Sequence, residues 1–336
     1  MNFIRHIGRD LTGDFLSPVG YFFWGWLLVY LCTGLVISFR EQQDRGQAFS
    51  PRQALAFCFP PRTFLCPSAR LDYLTFLLNE HLIVPMVSLA MAVEGSRLAP
   101  SIAAHATRGL SGIVPFHFHL TNCPGVNWVF TIFLLAAADL GWTLQHFLFH
   151  RVPWLWELHK VHHSASELNL VTVARLHPLD ALSQGWAAGI CMGTLTIVAK
   201  ALLGYEPTLI LFLNVSAGMA LFRVLGIYRH SHIWISYGPT LSRIFSSPAM
   251  HQIHHSKDKK HYDKNFGTVF SFWDIFLGTL YVPERRESLR YGLSDDDTEK
   301  ERYDTWFGGL IAPLLPHPKA INPRPMLRGE IPVASK

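Results

Sequence analysis

Three short stretches concentrate imidazole: HFLFH with His146 and His150, HKVHH with His159, His162 and His163, and HQIHH with His251, His254 and His255. Crowded histidines carry a cost, because each ring is a poised base near neutral pH and several charged rings repel. Their spacing points to one use. On a helix, positions i, i+3 and i+4 share a face. HxxxH therefore sets two rings on one stripe, and HxxHH sets its first ring beside its second and third. Each stretch can aim its rings at a common point, and a bound cation is what converging imidazoles satisfy. Eight rings exceed the roughly four ligands of one zinc ion and suit two metals. Imidazole accepts zinc, copper, iron or nickel, so the ligand type does not name the metal. No HExxH pair occurs in the chain, which removes the helical metalloprotease arrangement.

The elements that position these rings are apolar. Of 336 residues, 49% are hydrophobic and only 16% charged, against about 25% charged in a typical soluble domain. The mean hydropathy is positive. A helix needs about 20 apolar residues to cross a bilayer. Residues 18–39, 126–149, 179–203 and 207–228 meet that test, the last two forming a helical hairpin. Residues 71–93 are a further candidate, interrupted by Glu80 and His81, which are expected to pair inside the bundle. The stretch 97–125, with Pro100, Pro115 and HFH at 117–119, reads as a loop, an interfacial helix or a broken span, and His117 and His119 as interfacial packing. The apolar stretch 266–283 reads as an interfacial or capping helix. The tryptophans read as interfacial anchors or core. The fold expected is all-α: a polytopic membrane helix bundle with a cytoplasmic helical cap holding a histidine-rich dimetal site. Its divisions are an N-terminal membrane region (1–125), the histidine-bearing domain (126–283) and a soluble C-terminal extension (284–336).

Topology constrains the site. The helix ending near His150 brings the chain to one membrane face, and the hairpin leaves that face and returns. Residues 146–175 and 229–283 then lie together. They carry Arg151, Lys160, Arg175, Arg229, Arg243, Lys257, Lys259, Lys260 and Lys264, and the positive-inside rule makes their side cytoplasmic. The net charge of +5 belongs to these flanks, and no nucleic acid is expected. Lys257, Lys259 and Lys260 suit an acidic electron carrier or anionic lipid. The five cysteines are scattered and form no CxxC, which argues against a disulfide framework or a zinc ribbon.

HxxxH, HxxHH, a hairpin and HxxHH together resemble the fatty acid hydroxylase/sterol desaturase superfamily of membrane di-iron enzymes. RLHPLD, Arg175 to Asp180, resembles the family's stretch after the second box. HYDKNFGTVFSFWDIFLGTLY resembles its ending after the third, with Asp263, Asn265, Phe266, Gly267, Trp273, Asp274 and Gly278 at matching places. The similarity covers about 126–283. It implies two iron ions on the cytoplasmic face, O2, electrons from a separate carrier (cytochrome b-type, or ferredoxin with a reductase), and attack on a lipid C–H bond. The lipid, a sterol or fatty-acyl lipid drawn from the bilayer, would be hydroxylated or desaturated. The eight box histidines map as ligands, with His177 and His230 as further candidates. Asp263 and Asn265 would hold ligand rings by their other N–H, with His232, where many relatives have asparagine or glycine, placed beside them; His261 falls outside the ligand set.

Two other readings compete. A zinc-dependent membrane hydrolase acting on a lipid needs a carboxylate near the metal, and Asp139, Glu157 and Asp274 are the candidates. A metal or proton transporter would set its histidines mid-membrane along a path, whereas the box residues fall at helix ends.

Overall fold

The computed structural model describes residues 13, 15–18, 20, 22–86, 109, 118, 120–212, 215–216, 222, 226–298 and 300–315. The chain is helical. In order, α1 is Trp24–Asp44, α2 Pro51–Cys58, α3 Pro61–Phe64 and α4 Pro67–Thr75, the last continuing into a wider π-type turn over Phe76–Ile83. Two long helices follow, α5 (Pro124–Arg151) and α7 (Pro178–Leu203), with the short α6 (Pro153–His163) between them. Then come α8 (Gly238–Leu241), α9 (Pro248–His254), α10 (Phe272–Leu277) and α11 (Trp306–Ile311). The sole sheet among the described residues is a two-residue antiparallel pair, Leu211–Phe212 with Val215–Ser216.

Among the described residues, α5 and α7 are the helices long and apolar enough to cross a membrane. At about 1.5 Å per residue each exceeds a hydrocarbon core of about 30 Å. They pack tightly because the contact is built from small residues: a Cβ at Gly141 would lie 2.4 Å from the Ala187 carbonyl oxygen. Close backbone approach of this kind is how helices associate in lipid. Ile132, Phe133, Leu144, Leu148, Trp186 and Ile190 remain exposed on the outside of the pair, a surface suited to hydrocarbon. Hydroxyls on these helices are satisfied internally, as Thr143 shows by donating to the Asp139 carbonyl at 2.7 Å.

The other expected spans differ. The helix over 18–39 is α1, which starts at Trp24 and runs on through Arg40 and Glu41 to Asp44. It buries one stripe at four-residue spacing, Trp26, Tyr30, Gly34, Ser38 and Gln42, against Cys58 and Tyr228. The candidate over 71–93 is α4 with the π-type turn; its Asp72 is buried and ion-paired to Arg175 at 3.0 Å, so this segment faces protein. Residues 87–93 and most of 97–125, with His117 and His119, lie outside the described residues. Of the expected helix over 207–228, the described residues 207–212 and 215–216 are extended or strand, whereas Phe222 and Gly226 are helical. Pro207 opens an extended run, which side chains of α5 hold: Thr208 N–H donates to Asn127 Oδ1 at 2.9 Å, and Ile210 N–H to Thr131 Oγ1 at 3.0 Å. The chain still returns, because His230 lies beside His162 at the starting end of α7. The apolar stretch 266–283 forms only the six-residue α10. Residues beyond 290 pack back on the bundle, with Tyr303 donating to Glu157 at 2.6 Å and Trp306 to Asn79 at 3.1 Å.

Candidate metal centre

Helix ends set the rings. His146 and His150 occupy the last two turns of α5. The helix stops at Arg151 because Pro153 follows, disfavouring helical backbone at Val152. Proline at the first position then starts α6, and the sharp redirection lays His159, His162 and His163 against the end of α5. α9 opens on Ser247, whose hydroxyl caps the Met250 N–H, with Pro248 at the first helical position. His251 and His254 lie in its last turn, and His255 closes it. His230 sits on an irregular turn that α9 holds directly: Gln252 Nε2 donates to the Ser231 and Ile233 carbonyls at 2.7 and 2.9 Å.

These rings form two groups. His146, His150, His159, His163 and His254 make one, and His162, His230, His251 and His255 the other; within each, one ligand atom per residue lies within 4.8 Å of every other. All nine rings are buried, none more than 8% exposed. The Nε2 atoms converge. His163 stands 3.1 Å from both His150 and His254. In the second group the contacts run His162–His230 at 3.1 Å, His230–His251 at 2.9 Å and His251–His255 at 3.1 Å.

The outer nitrogens show what this convergence requires. Nδ1 of His146 faces the Phe266 carbonyl at 3.2 Å, that of His254 the Lys264 carbonyl at 2.8 Å, and that of His162 the Arg175 carbonyl at 3.3 Å. Nδ1 of His159 faces the Asp180 carboxylate at 2.7 Å. A carbonyl oxygen only accepts, so each of these rings, when neutral, carries its proton on Nδ1 and turns a lone pair inward. Nε2 of His146 and of His159 is buried with no protein partner. Inward lone pairs without protons repel one another, and a cation removes that repulsion. The donor sets therefore fit a metal ion in each group.

A frame of acceptors fixes the carbonyls in turn. Asp139 on α5 receives the amides of Val269 and Phe270 at 2.8 and 2.9 Å. Asp274 receives those of Phe266 and Gly267 at 2.7 and 2.9 Å. Asp263 and Asn265 both adopt left-handed backbone, φ 57° and 59°, a region that Asp and Asn enter more readily than most. Gly267 is required by contact: a Cβ there would sit 2.4 Å from the Phe270 carbonyl.

Residues 131–279 match the fatty acid hydroxylase family. The histidine-box region belongs to the fatty acid hydroxylase superfamily. Ornithine lipid hydroxylase OlsE of Rhizobium tropici is 30% identical over 208 residues, 62% of this chain and 57% of that protein. Alkylglycerol monooxygenase of Caenorhabditis elegans is 26% identical over 178 residues, 53% of this chain and 32% of that one. Human cholesterol 25-hydroxylase is 27% identical over 151 residues, 44% and 50% respectively. The chain thus spans between a third and somewhat over half of these relatives. No solved structure matches it.

Within this family segment, all eight box histidines enter the two groups, and His230 joins the second. His177, expected as a ligand, does not. Its Nδ1 accepts the Leu179 N–H at 3.2 Å as the N-cap of α7, and its Nε2 donates to the Leu310 carbonyl at 3.1 Å. His232 also lies apart, donating to the Phe57 carbonyl at 2.7 Å. Asp263 Oδ1 lies 3.9 Å from His150 Nδ1. Asn265 touches no ligand ring; it bridges the Met250 and Tyr281 backbones and so holds the turn between the carbonyls of Lys264 and Phe266. His261 stays outside both groups, beside Glu287 at 3.2 Å. Asp180 has no role in the sequence reading, although RLHPLD contains it; an acid three residues after a candidate ligand is the available signal.

Burial comes first among the causes that push the rings of His163, His230, His251 and His255 well below 6.5, with neighbouring imidazoles adding to it. His162 is pushed down to about 3. At neutral pH these rings are neutral, with a lone pair each. Two cations expected as membrane flanks prove to be internal: Lys160 pairs with Glu157 and Asp297 at 2.9 and 3.0 Å, and Arg175 with Asp72. The lysines after the third box are also engaged, Lys257 by Asp295, Lys259 by Asp296 and Lys260 by Glu287.

Proposed function

We propose that the chain is a membrane-bound, non-haem di-iron oxygenase that hydroxylates a C–H bond of a lipid. The observation that carries this reading is the pair of all-imidazole groups with inward lone pairs. Five of the histidines would hold one iron and four the other, and iron held there would supply the redox chemistry that O2 reduction needs. In net terms, the lipid C–H, O2, two electrons and two protons give the alcohol and water. The chain's own residues prepare this. Asp180 and the carbonyls of Arg175, Lys264 and Phe266 keep the ring tautomers that present Nε2. The buried surroundings exclude bulk water. Electrons come from a carrier protein, cytochrome b-type or ferredoxin, and the site faces the cytoplasm.

The hydrolase reading loses its general base. Asp139 and Asp274 are spent on backbone amides, Glu157 on Lys160 and Tyr303, and neither group contains a carboxylate. The names of the relatives, hydroxylases of ornithine lipid and cholesterol and a monooxygenase of alkylglycerol, support a lipid substrate and hydroxylation over desaturation. The test is lipid mass analysis in a host supplied with O2 and a reductase, with and without the protein, beside metal analysis. Two irons per chain and a lipid heavier by one oxygen are expected. Loss of two hydrogens would replace hydroxylation by desaturation, and one zinc with a cleaved lipid would overturn the proposal.

A further inference from the structure

One cavity reaches a histidine of the second group. It has about 50 Å³, and its walls include Phe22, Trp26, Leu27, Ile227, Arg229 and His230. No histidine of the first group lines it. The wall is apolar except where it meets the site, and there it carries one permanent charge, Arg229.

We propose that this cavity seats an acyl or alkyl lipid with its oxygen-bearing polar end at Arg229 and its hydrocarbon chain along Phe22, Trp26 and Leu27, so that oxidation falls within the first few carbons from the polar end. This rests on the oxygenase reading and adds to it the orientation of the lipid and the carbon attacked.

Three observations carry it. Arg229 is 7% exposed and is fixed, its guanidinium lying 5.5 Å from the Phe222 ring centroid and donating to the Thr268 carbonyl. Thr268 stands between the segments anchored by Asp274 and Asp139, so the charge shares a frame with the ligand rings. Arg229 and His230 line the same cavity. A carboxylate, phosphate or ester oxygen held at the guanidinium then sets the carbons next to it on the side of the cavity that His230 lines. Guanidinium suits such oxygens by its charge and its planar set of five donors. Gly226 borders it, where a Cβ would lie 3.5 Å from Nη2. Finally, α1 is polarised. Its last turn meets the charged C-terminal segment through Glu41 and Arg286 at 3.8 Å. Its first turn lines the cavity and exposes Trp24 and Leu28 on the outside. The chain end of the ligand therefore points away from the polar cap, as a lipid's does in a leaflet. Phe22, Trp26 and Leu27 precede the family segment, which starts at residue 131, so chain selection is set by residues the histidine boxes do not include.

The test uses the full chain in detergent with two photoreactive fatty acids, one bearing its diazirine beside the carboxylate and one near the methyl end. Cross-linked peptides are then sequenced. The first probe is expected to mark residues 226–230, and the second residues 22–27. Arg229→Met lowers labelling by both about tenfold or more, the loss of one charge-assisted contact, and Arg229→Lys restores part of it. Leu27→Trp lowers labelling by the methyl-end probe alone, and it keeps the test open should Arg229→Met fail to fold. A reversed pattern, or labelling indifferent to both substitutions, overturns the proposal. With heavy-isotope O2, label within the first few carbons supports it. Label at mid-chain or at the methyl end overturns the placement and leaves the oxygenase reading standing. No label in any lipid, with the photolabelling pattern intact, overturns the oxygenase reading and the attacked carbon with it.

Discussion

Replacing Asp180 by asparagine tests how the first metal group is prepared. Asp180 is buried, accepts from His159 Nδ1 at 2.7 Å, and also accepts from Gln145 Nε2 at 2.9 Å and Gln184 Nε2 at 3.3 Å. A carboxylate satisfies all three donors because it only accepts. An amide has one oxygen. If the substituted amide turns its oxygen to His159, its NH2 meets the Gln145 NH2. If it turns its NH2 to His159, the ring must move its proton to Nε2, which then points into the group and cannot ligate. Gln145 has an escape, since its Oε1 is buried without a partner. Flipping the Gln145 amide relieves the clash but gives up its donation to Ser183 at 3.0 Å. The expected outcome is a correctly folded chain that holds the first metal about 10–100-fold more weakly, equal to about 1.4–2.8 kcal/mol. Chelator challenge of the iron-loaded protein reads this directly. Wild type should lose its two ions slowly, whereas Asp180→Asn should lose one quickly and keep the other. Asp180 also lies in the first turn of α7, where removing a negative charge costs about 0.3–1 kcal/mol of helix stability. Thermal unfolding of the metal-free proteins separates that effect from ligation. Equal chelator rates for both proteins, with iron content unchanged, would refute the argument that Asp180 fixes the His159 tautomer.

Three further outcomes follow from the same geometry. Metal-free protein should lose stability as pH falls below 6.5: the unfolded chain takes up protons there that the buried rings of His162, His163, His230, His251 and His255 refuse, their folded values lying lower. That contribution is fully present above about pH 7 and fades towards acid; unfolding midpoints flat from pH 7 to 5 would contradict it. Gly141→Leu should push α5 off α7, since even a Cβ meets the Ala187 carbonyl at 2.4 Å. The cost is about 1–3 kcal/mol or more, visible as a lower unfolding midpoint and poor recovery from the membrane. Arg175→Leu should leave Asp72 as an uncompensated buried charge and cost about 3–5 kcal/mol. Asp72→Asn in the same chain should return part of it, and a double variant no more stable than Arg175→Leu alone would count against the pairing.

The grouping of the box histidines is legible because it is local. HxxxH and HxxHH encode a helix face within five residues, and proline at 153 and 248 marks where each helix starts, so the box rings can be aimed from the sequence. What lies beyond one turn of helix is not legible. His177 and His230 look alike as additions to the boxes. His230 enters a group because Gln252, the neighbour of His251, pins its turn. His177 is diverted by a carbonyl 133 positions away at Leu310. Asn265 reads from the sequence as a partner of a ligand ring, yet it acts through backbone, holding the turn whose carbonyls face His146 and His254. No spacing rule reports where a carbonyl points. The segment after 207 departs from expectation for the same reason. Its apolar composition suits a membrane helix, but its first stretch is extended, with the Thr208 and Ile210 amides bonded to Asn127 and Thr131 on α5. Hydrophobicity sets where a segment goes, and its hydrogen-bond partners decide what it becomes there. This asymmetry bears on function. Asp139, Asp180 and Asp274 are visible in the sequence as carboxylates in apolar surroundings, and by residue type alone each could serve as a general base. Their partners assign all three to holding nitrogen, on rings or on backbone. Three buried acids that hold histidine rings, or the backbone presenting them, suit metal binding better than proton abstraction by carboxylate.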